Sequence, residues 1–118
     1  MSERITKAKN DFIKYGCSGA ILMNYQDITG WDTNKSLDIA KPFLGGRKIK
    51  CGAVLASEEV LKHLGIDKNT ELEKKFIEKN GTVNCRELKG LDSGKLIRPC
   101  QGCIEDACTL LEEIIKDN

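Results

Sequence analysis

The chain has 118 residues, of which 40% are hydrophobic and 31% charged, with a formal net charge of +1. That length suits one domain over residues 1–118. The near-balance of charge gives no reason to expect nucleic acid or an anionic membrane as a partner, and no apolar run approaches the ~20 residues of a membrane span.

The first residues, Met1-Ser2-Glu3-Arg4-Ile5-Thr6-Lys7, hold no signal-peptide core, so the expected location is cytoplasmic. In a reducing cytoplasm the six cysteines point to metal binding or redox chemistry more than to structural disulfides. Any one of them could be a buried small hydrophobe, but that reading is hard to sustain for all six.

Residues 3–15 read as a charged, weakly amphipathic helix with Ile5, Phe12 and Ile13 as apolar members. Gly16 relaxes it and residues 17–25 continue it. Cys17 stands four residues from both Ile13 and Ile21, which predicts one shared face directed at the core. Gly30-Trp31-Asp32-Thr33 is a helix stop and a new start, with Asp32 or Thr33 as N-cap and Trp31 as a core anchor.

The next helix should end before Pro42. Residues 43–50 then read as a loop holding Gly45, Gly46 and the cations Arg47, Lys48 and Lys50. Cys51 opens a helix over 52–63 that Gly65 stops. Asn69 or Thr70 caps a helix over 71–80, with Leu72 and Phe76 as its apolar stripe and Gly81 as its end. Residues 83–88 form a short helical turn, 91–99 a loop, and Cys100 launches a last helix over 101–116. There Ile104, Ala107, Cys108, Leu111 and Ile115 recur at the helical period. No stretch alternates as a strand would. The expected fold class is all-α, an irregular single-domain bundle of five to seven helices.

Several motifs can be set aside. Cys100-Gln101-Gly102-Cys103 is a C-x-x-C pair without the following His that haem attachment needs, so no haem is expected. It also lacks the βαβ setting of a thioredoxin-like site. Zinc knuckles and ribbons show two close ligand pairs, whereas this chain has one, with a single His. That residue, His63, suits a helix C-terminus as a surface or cap group. Gly45-Gly46-Arg47-Lys48 lacks the spacing and hydroxyl of a phosphate loop.

Four segments carry a resemblance: Gly16-Cys17-Ser18-Gly19-Ala20; Gly45-Gly46 followed by Cys51-Gly52-Ala53-Val54; Asn84-Cys85-Arg86-Glu87-Leu88-Lys89-Gly90; and Pro99-Cys100. In order and spacing, from about Tyr15 to Ile115, the chain resembles the redox-active family named for its C-GCAxxG-C-C cysteine pattern. The resemblance puts the family's cysteines on Cys17, Cys51, Cys85 and Cys100. It also departs from the pattern. Ala56 stands where the motif has its last glycine, the stretch around 66–71 is short, and Cys103 and Cys108 are extra.

A related domain in split-Soret cytochromes is associated with an iron–sulfur centre. The resemblance therefore implies an iron–sulfur cluster on Cys17, Cys51, Cys85 and Cys100, serving electron transfer, since soft thiolates select such centres. Dithiol/disulfide chemistry without metal is the alternative, with structural zinc behind it. Cys103, one helical turn from Cys100, is an additional redox or metal candidate, and Cys108 is expected to pack in the core.

Arg47, Lys48 and Lys50, just before Cys51, are expected to favour thiolate or offset the charge of a cluster. Gly52 beside Cys51, and Gly16 and Gly19 beside Cys17, leave room for an inorganic core, a partner thiol or tight helix packing. No nucleophile–base pair emerges, so catalysis stays open. A redox partner protein is implied but not identified, and a homodimer is admissible.

Overall fold

The computed structural model describes residues 3–46, 49–91 and 93–118. Its regular elements are α1 (Glu3–Met23), α2 (Gln26–Thr29), α3 (Thr33–Ala40), a 3-10 turn (Lys41–Gly46), α4 (Gly52–Leu64), α5 (Asn69–Asn80), α6 (Cys85–Lys89) and α7 (Cys100–Lys116). The fold is all-α, as the helical periodicity and the lack of alternation require. The sole β feature among the described residues is an isolated antiparallel bridge between Lys50 and Asn84.

Helices α1, α4 and α7 pack on one another and form the core. Ile21 and Leu22 from α1, Val54, Val60 and Leu61 from α4, and Ile104 and Leu111 from α7 are fully buried there. Each such side chain contributes about 1.5–3 kcal/mol relative to exposure. Leu72 and Phe76 of α5 close one side, and α3 lies against α1, where the buried Ser18 hydroxyl donates to the Ala40 carbonyl at 2.8 Å. Arg4 clamps the bundle from outside. Its guanidinium bridges Asp27 at 2.8 Å and Glu112 at 2.9 Å while lying 4.5 Å from the centre of the Tyr25 ring.

Three local expectations change. Ile13 does not share the core face of Cys17 and Ile21; it is 87% exposed. The cause is Gly16, whose φ of 76° and ψ of −177° break α1 and rotate the face on which residues 17–23 lie. The α-helix ends at Ala40, before Pro42 as expected, but the segment after it is not the open loop expected there. Lys41 keeps helical angles, and the chain tightens into the 3-10 turn instead of opening into a loop. Helix α5 starts two residues earlier than residue 71, at Asn69, with Lys68 as an N-cap that makes no side-chain bond. By contrast Asp32 caps α3 as expected, accepting from the Lys35 amide at 2.8 Å.

Candidate functional site

The bridge between Lys50 and Asn84 fixes the centre of the site. The Cys51 amide donates to the Val83 carbonyl and the Cys85 amide to the Ile49 carbonyl, both at 2.8 Å. Two cysteines distant in sequence therefore start neighbouring helices, α4 and α6. Asn84 caps α6 by accepting from the Glu87 amide at 3.2 Å. One turn later on the same face as Cys85 stands Lys89. The amides of Ile97 and Arg98 donate to the Leu88 carbonyl at 2.9 and 3.1 Å, which ties the loop before α7 to α6 and brings Cys100 to Lys89. The side chain of Gln101 anchors the same end of α7 to α1, donating to the Lys9 carbonyl at 3.1 Å.

Cys17 arrives from the other side, first in line after the break at Gly16. A Cβ built on Gly52 would lie 2.6 Å from the Cys17 sulfur and 2.6 Å from the Phe43 carbonyl oxygen. The sulfur thus rests on the bare backbone of residue 52, immediately beside Cys51. Any side chain at 52 would occupy that space.

Five thiols share the resulting nest. The Cys51 and Cys103 side chains are hydrogen-bonded to each other, Cys17 lies within electrostatic reach of Cys51 and Cys100, and Cys85 within reach of Cys51 and Cys100. The Lys89 amine bonds to the Cys100 sulfur and is within reach of Cys85 and Cys103.

Acidity is divided unequally in this nest. The hydrogen bond from Cys103 lowers the Cys51 thiol against the opposing effect of burial, helped by the Val54 and Ala53 amides at the start of α4 and by Lys89. Cys103 is pushed up, since its proton is the one shared with Cys51 and it is buried as well. That thiol also has the Arg98 carbonyl as an acceptor at 3.8 Å. Burial, and then the charge of Cys51, push Cys17 up to about 11. Burial raises Cys85, against the pull of Lys89. For Lys89 itself burial works against the charge, but its bond to Cys100 and the neighbouring sulfurs hold the ammonium above its usual range.

Sequence reading had placed Cys17, Cys51, Cys85 and Cys100 in one site, and the fold brings these four together. Cys103 joins them as the direct partner of Cys51. Cys108 stays apart, buried on the core face of α7, 3.5 Å from the Tyr25 hydroxyl. Of the expected cations, Arg47 and Lys48 lie outside the described residues. Lys50 is engaged elsewhere, its amine 3.0 Å from Glu73. Arg98 pairs at 3.2 Å with both Glu105 and Asp106. Among the described residues the cation in contact with the nest is Lys89, which sequence reading missed; its i, i+4 spacing from Cys85 was the available signal. Among the described residues, no group of three or more His, Cys, Asp or Glu side chains is arranged to hold a metal ion.

The family model described as "Putative redox-active protein (C_GCAxxG_C_C)" matches residues 15–114. The chain belongs to this family. No curated protein and no solved structure matches it. In this C_GCAxxG_C_C protein the motif is Cys51 to Ala56, and its parts have distinct physical duties. Cys51 supplies the low-lying thiol, Gly52 admits the Cys17 sulfur, and Ala53 and Val54 are fully buried core residues. Ala56, in place of the last glycine, is itself fully buried, so the methyl group has been accommodated in the core.

Proposed function

We propose that this redox-active protein works by thiol–disulfide exchange that ends in a disulfide between Cys51, which supplies the thiolate, and Cys103. The observation that carries this reading is the hydrogen bond between the two side chains where the start of α4 meets the first turn of α7. A thiolate is the nucleophile in exchange, and helix amides and a nearby cation favour it over the thiol. Oxidation removes two electrons and two protons from the pair and forms one S–S bond; the oxidant is a disulfide, which leaves as two thiols.

An iron–sulfur centre is the second reading, favoured by the gathering of five sulfurs from four helices, more than one dithiol needs. Soft thiolates suit such a cluster. Cys17, Cys51, Cys85 and Cys100 would hold it, and it would supply one-electron transfer.

One anaerobic preparation separates the readings. Thiol–disulfide chemistry gives colourless, metal-free protein whose thiol count falls by two on mild oxidation, with the disulfide mapped to Cys51 and Cys103. Cys108→Ser should leave that result unchanged. Brown protein containing iron and acid-labile sulfide, bleached on reduction and lost in Cys17→Ser or Cys85→Ser, would replace the first reading with the second. Colourless protein with stoichiometric zinc would displace both.

A further inference from the structure

The reactive pair is sealed from solvent: Cys51 is 1% exposed and Cys103 fully buried. A disulfide on another molecule cannot reach either sulfur directly, because exchange requires the attacking sulfur to approach along the S–S axis. Cys17, Cys85 and Cys100 are each partly exposed, so contact with the outside must run through one of them. Three features single out Cys100. It opens α7 as the first residue of the C-x-x-C, three residues before Cys103, which places the two on one face of the first turn. It is the sulfur that the Lys89 amine touches, so the entry sulfur is the one in direct contact with a cation. And it is near Cys103, the member of the inner pair that lies on the same helix.

We infer that Cys100 is the entry thiol of an internal relay that passes oxidation from an external disulfide through Cys103 to Cys51. This rests on the thiol–disulfide reading above. In the first step the Cys100 thiolate attacks a disulfide R–S–S–R′, forming Cys100–S–S–R and releasing R′–S⁻. The Cys103 thiol then attacks the Cys100 sulfur while its proton passes to the leaving sulfur, forming the Cys100–Cys103 disulfide and releasing R–SH. Finally the Cys51 thiolate attacks the Cys103 sulfur, forming Cys51–Cys103 and returning Cys100 as a thiolate beside Lys89. The net change is two protein thiols to one disulfide and one external disulfide to two thiols.

The intermediate is suited to passing oxidation on. On a helix the Cβ atoms of an i, i+3 pair stand about 5–6 Å apart, whereas a disulfide needs about 3.5–4.5 Å. The first turn of α7 must therefore flex to form it, and attack by Cys51 relieves that distortion.

The experiment oxidises the reduced, metal-free full-length protein with glutathione disulfide, quenches at intervals with acid, and maps adducts and disulfides by mass spectrometry. The relay predicts that the first glutathione adduct appears on Cys100 and that Cys51–Cys103 follows. In Cys100→Ser, formation of Cys51–Cys103 by glutathione disulfide should slow about tenfold or more, since access governs exchange rates. Hydrogen peroxide, small enough to enter without a relay, should still form that disulfide in the variant. A first adduct on Cys17 or Cys85, or an unchanged rate in Cys100→Ser, overturns the relay and leaves the dithiol reading standing. If neither oxidant forms Cys51–Cys103 in the unmodified protein, the dithiol reading falls and the relay with it. The adduct map on the unmodified protein decides the question even if the serine variant folds poorly.

Discussion

Alanine at position 52 should destabilise the protein although alanine is the better helix former. The new methyl carbon would sit 2.6 Å from both the Cys17 sulfur and the Phe43 carbonyl oxygen, whereas ordinary contact begins at 3.4 Å, so each must retreat by about 0.8 Å. The sulfur can swing on its own side-chain torsion. The carbonyl belongs to the backbone of the 3-10 turn and can yield only by shifting that turn. Overpacking of this kind costs about 1–3 kcal/mol. The gain in helix propensity offsets at most about 1 kcal/mol, and less at the first residue of α4. The expected net loss for Gly52→Ala is therefore about 1–2 kcal/mol. At this size that lowers the melting temperature by roughly 4 °C for each kcal/mol. Urea and thermal unfolding followed by circular dichroism measure it, on fully reduced protein so that no disulfide enters the balance. A melting temperature equal to or above that of the unmodified protein would refute the close approach of Cys17 to residue 52. Ala56→Gly supplies the contrast. It restores the motif's glycine but removes a buried methyl from the interior of α4, and should cost about 1 kcal/mol by the same assay.

Lys89→Gln should raise the pH at which Cys51 forms thiolate, by up to about one pH unit, because a positive neighbour of the thiolate is lost. Thiolate ultraviolet absorbance, compared with a Cys51→Ser background, measures this. Lys89→Arg should restore the titration, and an unchanged midpoint in Lys89→Gln would reduce Lys89 to a packing role. Glu58 in α4 is raised to about 8, chiefly by burial and then by its hydrogen bond to Glu73. Its folded-state affinity for the proton exceeds its unfolded one, so its contribution to stability declines as pH rises from about 4.5 through 8. Glu58→Gln, which stays neutral, should flatten that decline and gain on the unmodified protein at pH 9 relative to pH 5. Parallel stability curves for the two proteins across that interval would show that Glu58 ionises normally.

What the sequence determined by itself was everything set by local rules. Helical periodicity with no alternation fixed the all-α class, Asp32 marked a helix start by capping, and Gly65 and Gly81 marked helix ends with left-handed angles. The set Cys17, Cys51, Cys85 and Cys100 was legible by another route, the chain's resemblance to a family cysteine pattern. Tertiary structure decided what those residues face. Ile13 left the core because a single glycine torsion turned one half of α1 against the other, which the i, i+4 rule cannot foresee. Lys50, adjacent to Cys51 in sequence, points to Glu73, while Lys89, dozens of residues away, supplies the charge to the thiols. Electrostatic effects follow distance in space, and chain neighbours on an extended segment project their side chains to opposite sides. The partnership of Cys51 with Cys103 was hidden for the same reason. It arises where the start of α4 meets the first turn of α7, a meeting set by the packing of both helices on α1 and by the two hydrogen bonds that tie residues 49–51 to residues 83–85.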